Sequence, residues 1–201
     1  MNFSPADSIL AQAIGAVTPA AQMVILHHGT VVHNVAMGFI DPETNTRQTN
    51  AETLFDLASV TKLFTTTTFM TLVEQGKISV DDPVRKVLPE FNGMRPIQPY
   101  ENPLDWDKTV SVTDQPGSVD AGKVTFRNLL VHNSGLPAWR AFKDQPNANA
   151  ALQMALDTFF SYPTGERIVY SDVGLILLGA EVSRLTGSPL GAAIYQRVIQ
   201  P

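Results

Sequence analysis

The chain has no cysteine and few basic residues, and these shortages exclude several classes of protein. Without a thiol it can form no disulfide scaffold, no cysteine nucleophile and no thiolate metal site. Lys and Arg number 14 against 19 Asp and Glu, so the formal net charge is −5. A nucleic-acid-binding protein has the opposite charge balance, and we expect no nucleic-acid partner.

Long apolar runs and a secretory signal pattern are also missing. No stretch approaches the ~20 consecutive apolar residues that a membrane helix needs, so we predict no membrane span. Residues 1–7 contain no basic residue ahead of the first weakly apolar run, whereas a signal peptide begins with positive charge. As written, the sequence therefore predicts a cytoplasmic protein.

What is present indicates a folded protein. Apolar residues make up 44% of the chain and charged residues 16%, which is too apolar and too weakly charged for a disordered protein. A chain of 201 residues can bury about 70% of its unfolded surface. That is enough for one sizeable core or two small ones.

The order of secondary structure is one hairpin followed mostly by helices. Ser4, as an N-cap before Pro5, predicts a helix that ends near Val17. Apolar runs at 22–28 and 31–40 around Gly29 predict a β-hairpin. Residues 92–123 are rich in Pro, Gly, Asp and Asn, and predict a long surface loop. Further helices are predicted at about 61–75, 84–88, 125–132, 149–160, 173–185 and 189–200.

This order of elements predicts no further strands that could pair with the hairpin. An isolated two-stranded hairpin is at best marginally stable in water, and the sequence offers no strand candidate after Tyr170. Either helices cover the hairpin or further strands lie outside the chain.

Ser59 and Lys62 form the first candidate site. Residues three apart lie on one face of a helix, so Lys62 is expected beside the Ser59 hydroxyl. A serine nucleophile needs a base within hydrogen-bond reach, and burial with a nearby positive helix end would favour the neutral amine that can serve. On spacing alone, however, a helix cap followed by a solvated lysine explains the pattern better.

Two further groups stand at the ends of predicted elements. Tyr170 precedes an apolar helix, where its oxygen could act as a base beside a cation, although a half-buried Tyr at a capped helix entry is the plainer interpretation. Residues 132–137 (HNSGLP) predict a rigid turn lining a site, with a structural rather than catalytic His132. His27 and His28 should point to opposite faces of a strand, so with His33 they predict no metal site.

Taken together and in order, these motifs resemble the β-lactamase and penicillin-binding-protein superfamily of serine hydrolases. More narrowly, they resemble the β-lactamase-related serine hydrolases that are similar to class C β-lactamases, D-alanyl-D-alanine carboxypeptidases and family VIII esterases. Four segments match in order along most of the chain: 55–62 (FDLASVTK), 72–84 (LVEQGKISVDDPV), 128–137 (NLLVHNSGLP) and 170–172 (YSD).

The resemblance implies the fold and the roles of the site residues. The fold would be α+β, with a helical lobe and an antiparallel sheet. Ser59 would be acylated by the substrate carbonyl, Lys62 and Tyr170 would share the proton transfers, and Asp172 would contact the substrate. The Ser59 N–H would supply half of the oxyanion hole. No cofactor or metal is implied.

The sequence departs from the family pattern at Asp172. Asp172 replaces the usual Asn of the Tyr-x-Asn motif, and an ionised Asp only accepts hydrogen bonds. Pairing with Asp172 would keep Lys62 charged, which favours an esterase-like or otherwise altered specificity.

The third family motif, a Lys-Thr-Gly, His-x-Gly or Trp-x-Gly on a late strand, has no counterpart. There is no Lys after Lys143 and no His after His132. We therefore expect residues 1–201 to form a single β-lactamase-related domain truncated at its C-terminal side. Its parts would be a helix and hairpin at 1–50 and a helical lobe at 51–201, with the remaining strands absent.

The sequence predicts a serine hydrolase that forms an acyl-enzyme at Ser59 with a small-molecule or peptide-like ester, amide or β-lactam. The alternative is a non-catalytic binding or regulatory module on the same scaffold. The oligomeric state is left open.

Overall fold

The computed structural model describes residues 1–105 and 107–200. They group into two compact units, Met1–Leu57 and Ala58–Pro201. A single domain over residues 1–201 stays a prediction.

The first unit consists of one helix and one hairpin. Helix α1 is Ser4–Ala13, and strands β1 (Ala20–His27) and β2 (Thr30–Gly38) pair antiparallel. The register runs from Ala20 opposite Gly38 and shifts by one residue after Ile25. The predicted hairpin is therefore confirmed.

Helix α1 differs from its prediction at both ends. Its N-cap is Phe3 with no side-chain cap, so Ser4 is already helical. The helix ends at Ala13 rather than near Val17, because Ile14 is extended and bridges Thr18. Local propensity could not show that this short bridge would compete with another helical turn.

The histidines of the hairpin also differ from expectation. His27 and His28 do not point to opposite faces: their rings contact edge to face at 4.1 Å. The reason is that His28 lies in the turn at φ 48°, outside the alternating strand. His33 contacts Asp7 at 2.6 Å. Among residues 1–105 and 107–200, no cluster of His, Asp or Glu could hold a metal ion.

The second unit is mainly helical and is built around helix α5 (Asp172–Thr186). The other helices are α2 (Thr61–Glu74), α3 (Phe126–Leu130), α4 (Ala148–Leu156) and α6 (Leu190–Ile194), which continues as a π-helical turn at Tyr195–Ile199. All four contact α5, and Leu177, Leu178 and Val182 of α5 are buried.

The buried residues of helix α2 are not simply its apolar residues. Leu63 is 66% exposed, whereas Thr65 and Thr68 are buried. The two hydroxyls donate to the carbonyls of Thr61 and Phe64, at 3.3 and 2.7 Å. A buried threonine satisfied in this way presents its methyl group to the core, which is why a four-threonine run sits in a packed helix.

Residues 92–123 are not the plain surface loop that composition predicts. They contain two small antiparallel ladders: β3 (Met94–Pro96) with β6 (Ser118–Asp120), and β4 (Tyr100–Glu101) with β5 (Thr109–Val110). Arg95 in β3 is buried and donates to the Thr158 carbonyl at 3.0 Å. Strands of two or three residues are too short to give a periodic signal.

The architecture is thus α+β, as predicted, with six α-helices and small antiparallel sheets within the described ranges. No helix in those ranges has the length and hydropathy to cross a membrane. A cytoplasmic location stays a prediction.

Candidate active site

Ser59 lies on a strained turn at the start of helix α2. The 3₁₀ turn Ala58–Val60 leads directly into the helix, and Ala58 adopts φ 44°. A non-glycine residue in this left-handed region costs about 1–3 kcal/mol, and such strain concentrates at functional sites. The turn leaves Ser59 exposed.

Lys62 stands at the centre of a group of polar side chains. Its Nζ lies 3.0 Å from Ser59 Oγ and 2.7 Å from Asp172 Oδ1. The Tyr170 hydroxyl shares hydrogen bonds with Lys62 and Ser59, and Lys62 Nζ lies 4.9 Å from the centre of the Tyr170 ring. Ser59, Lys62, Tyr170 and Asp172 therefore converge, all within the second unit.

The charge state of Lys62 differs from the neutral form that burial alone would favour. Partial burial lowers the pKa of Lys62, but hydrogen bonds to Asp172 and Tyr170 outweigh it, so the pKa is raised overall. The same hydrogen bond from Lys62, with one from Ser59, lowers the pKa of Tyr170. The site thus favours an ammonium at Lys62 and eases loss of the Tyr170 proton.

Tyr170 is held in place through the backbone of its neighbours. Val169 N donates to His132 O at 2.8 Å, and Asp172 N donates to Ala138 O at 2.9 Å. Ser171 Oγ donates to Pro137 O at 2.7 Å and, as the N-cap of α5, accepts from Gly174 N at 3.2 Å. The turn at 132–138 therefore fixes the segment 169–172.

His132 belongs to this support as well. It adopts φ 58°, and its Nδ1 accepts a hydrogen bond from Ser171 N at 3.1 Å. Its ring lies 4.8 Å from the Tyr170 ring. Burial, followed by repulsion from Lys62, lowers the pKa of His132, so the neutral ring that accepts this bond is favoured. His132 is a positioning residue here, as its place in a rigid turn suggests.

Gly135 makes the turn possible. It adopts φ 91°, and a Cβ atom there would lie 2.5 Å from the Tyr162 carbonyl oxygen. Ser161 N donates to Gly135 O at 2.7 Å, and Thr164 Oγ1 donates to Ser134 O at 2.7 Å. Any side chain at position 135 would push the turn around Gly135 away from residues 161–164.

Sequence reasoning missed two features of the site. The positive φ of Ala58 could not be predicted from the sequence, because alanine is not a residue that is typical of left-handed turns. An apolar cavity of about 560 Å³ beside Lys62 and Asp172 was also missed. The aromatic residues Trp139 and Phe142, which follow the 132–137 turn and line this cavity, were the available signal.

The chain is similar in sequence and fold to known proteins. The chain is 30% identical over 212 residues to N-acetylmuramyl-L-alanine amidase of Bacillus subtilis, covering 97% of this chain and 43% of that protein. It is 31% identical over 203 residues to esterase EstB of Burkholderia gladioli, covering 90% of this chain and 44% of that protein. The octameric penicillin-binding protein homologue from Pyrococcus abyssi shares the fold, with a TM-score of 0.75 and 23% identity. The match covers 100% of this chain and 43% of that protein.

The chain thus spans less than half the length of these relatives. A family model described as "Beta-lactamase" matches residues 6–201, which is nearly the whole chain. The convergence of the serine, lysine and tyrosine motifs agrees with that match, and the protein belongs to the Beta-lactamase family.

Proposed function

We propose that this chain carries the nucleophile and the proton-transfer groups of a serine hydrolase that forms an acyl-enzyme at Ser59. The observation that supports this most directly is the 3.0 Å contact between Ser59 Oγ and Lys62 Nζ, with the Tyr170 hydroxyl bonded to both. A weak nucleophile, a cation and an acid–base group within mutual hydrogen-bond reach are what acyl transfer requires.

In the proposed acylation, Tyr170 starts as a phenolate that the Lys62 ammonium stabilises. Ser59 Oγ attacks the ester carbonyl carbon, the carbonyl oxygen becomes an oxyanion, and the Ser59 proton passes to the Tyr170 oxygen. When the tetrahedral intermediate collapses, the carbon–oxygen bond to the leaving alcohol breaks, and Tyr170 returns the proton to that alcohol. In deacylation, water attacks the acyl carbon and gives a proton to Tyr170, the bond to Ser59 Oγ breaks, and Tyr170 returns the proton to Ser59 as the acid leaves.

Tyr170 is the better candidate for the base than Lys62. The pKa of Lys62 is raised by its hydrogen bonds to Asp172 and Tyr170, which offset the lowering by burial, and an ammonium accepts no proton. The pKa of Tyr170 is lowered by its bonds to Lys62 and Ser59. A base works best when its pKa lies near the operating pH, so both shifts favour Tyr170 in this role.

An ester is the proposed substrate class. Asp172 offers the substrate only acceptor oxygens, and Oδ1 is already engaged with Lys62 at 2.7 Å. An ester has no N–H group and a better leaving group than an amide, so it makes fewer demands on the site. A relative at 31% identity is named an esterase, which supports the same choice.

The proposal is tested by covalent labelling with a fluorophosphonate probe. Ser59 Oγ should displace fluoride and form a phosphorus–oxygen bond, and mass spectrometry should place the adduct on the peptide that contains Ser59. Ser59→Ala should abolish labelling, whereas Ser188→Ala, at a serine outside the site, should label normally. Labelling that persists in Ser59→Ala would refute the assignment.

A non-catalytic binding module is the second candidate, and the Lys62–Asp172 ion pair favours it. The 2.7 Å contact holds the lysine charged, which removes one of the two bases that the motif could supply. This candidate predicts reversible binding of the probe scaffold with no adduct at Ser59.

Asp172→Asn is expected to move the acidic limb of the pH profile of kcat/KM to lower pH. Asp172 raises the pKa of both Lys62 and Tyr170, so its removal lowers both values. The basic form of either group is then present at lower pH, whichever of them accepts the Ser59 proton. A profile with an unchanged or upward-shifted acidic limb would contradict the assignment.

A further inference from the structure

The cavity beside the candidate active site has a polar end and an apolar body. It encloses about 560 Å³ within the second unit, between helices α2, α5 and α6 and the segment 139–152. Lys62 and Asp172 line one part of it, and Leu190 of α6 lines another. This volume falls within the ~300–1,000 Å³ of typical ligand pockets.

The side chains that form the body of the cavity are apolar: Phe142, Leu152, Leu175, Ile176, Ala180 and Leu190. Three residues with hydroxyl groups, Thr61, Thr65 and Ser183, also line the cavity. Thr65 Oγ1 donates to Thr61 O at 3.3 Å, and Ser183 Oγ donates to Gly179 O at 3.1 Å. Each hydroxyl has one proton, so neither of these two donates to a ligand in this conformation. The walls near Thr65 and Ser183 therefore favour an apolar occupant.

Charged groups with defined partners lie at the edge of this apolar body. Lys62 pairs with Asp172, and Arg140 pairs with Glu101 at 3.0 Å and donates to Thr158 Oγ1 at 2.7 Å. An apolar group in the cavity would thus leave these two ion pairs in place.

On the basis of the proposed function, we infer that the cavity binds the acyl group of the ester substrate, as a chain of several methylene groups or a ring of similar volume. Neither Ser59 nor Tyr170 lines the cavity, but Ala58, next to Ser59, and Lys62, whose Nζ contacts Ser59 Oγ at 3.0 Å, do. The cavity thus begins beside the nucleophile and away from Tyr170, the proposed proton donor to the leaving alcohol, so the acyl group is the part of the ester that extends along α5.

Gly179 sets the width of the cavity between α5 and α6. A Cβ atom at this position would lie 3.0 Å from Leu190 Cδ2, so a larger residue would displace the α6 side chain. Ala180 and Ile176, on the same helix, also line the cavity and offer changes of volume without this close backbone approach.

The first test is a series of p-nitrophenyl esters from acetyl to decanoyl. Burial of one methylene is worth about 0.8 kcal/mol, or about fourfold in kcat/KM, until the cavity is filled. Ala180→Phe should move the optimum to shorter acyl groups and Ile176→Ala to longer ones. Ala148→Phe, an exposed alanine on α4, is the matched control and should leave the profile unchanged.

A flat series, a decline from acetyl onward, or equal losses at all lengths in Ala180→Phe would overturn the inference. A second readout separates it from the proposed function. Ser59→Ala, which cannot be acylated at 59, should bind methyl octanoate reversibly and methyl acetate at least tenfold more weakly, by tryptophan fluorescence with Trp139 in the cavity wall. Equal affinities would refute the acyl site even if Ser59 is the nucleophile.

Discussion

Lys62→Met is expected to lower kcat/KM for an activated ester by about 10³-fold, within the 10²–10⁴ range typical of proton-transfer groups. Methionine fills similar space but removes the cation that contacts Ser59 Oγ at 3.0 Å. Because the hydrogen bond from Lys62 is the largest cause of the lowered pKa of Tyr170, its loss also raises the pKa of the proposed base.

Lys86→Met is the matched control for this variant. Lys86 pairs with Asp82 at 2.7 Å in the same unit but lies outside the site, so its replacement should leave kcat/KM within about twofold, as surface ion pairs contribute little. Urea denaturation should confirm that both variants remain folded. Normal turnover by folded Lys62→Met would show that the lysine has no part in the reaction.

The second large effect is expected at Glu181, on stability rather than on activity. Glu181 lies in α5 with a fully buried side chain, and neither carboxyl oxygen has a hydrogen-bond partner. Burial raises the pKa of Glu181 well above its usual value, against the opposing attraction of Arg184. Glu181→Leu should therefore increase the free energy of unfolding at neutral pH by about 1–3 kcal/mol, the cost of an unsatisfied buried polar group.

The pH dependence of this effect has a definite sign. The folded state retains the Glu181 proton at pH values where the unfolded state, with a pKa of about 4.3, has lost it. Stability therefore falls as pH rises above that value, by up to about 1.4 kcal/mol per pH unit, until the folded-state pKa is passed. Glu181→Leu removes this slope, so the variant should gain more at pH 7 than at pH 4.

Urea denaturation at these two pH values measures the difference. Glu74→Leu, at an exposed glutamate at the end of α2, is the control and should change stability by less than about 0.5 kcal/mol. A destabilised Glu181→Leu would show that the carboxyl group has a stabilising partner when folded, and a gain that is independent of pH would show that folding does not raise the pKa of Glu181.

Several elements with a local chemical signal were predicted correctly, although the cap of α1 was not. The helices predicted at about 125–132 and 173–185 are present as α3, where Thr125 forms a reciprocal capping box with Asn128, and α5, which ends at Gly187 with φ 66°. The three-residue spacing of Ser59 and Lys62 predicted that the two side chains are neighbours, and Lys62 Nζ lies 3.0 Å from Ser59 Oγ. The order of the motifs was sufficient to indicate the family.

What the sequence could not show depends on contacts between distant segments. The ladders within 92–123 pair strands of two or three residues, which leave no periodic pattern. The charge state of Lys62 depends on Asp172, 110 positions later, at 2.7 Å. The burial of Glu181 contradicts the usual exposure of glutamate, and no neighbouring residue in the sequence signals it.

The attachment of the 169–172 segment to the 132–138 turn affects catalytic activity and stability of the fold differently, although screens often treat the two as one property. Tyr170 itself is half exposed, and its position depends on hydrogen bonds made by Val169, Ser171 and Asp172. A substitution of His132, which accepts from Ser171 N but caps no helix, would misplace the phenol by fractions of an ångström while the helical core melts at nearly the same temperature. Thermal shift measurements would accept such a variant, and only turnover assays would detect it.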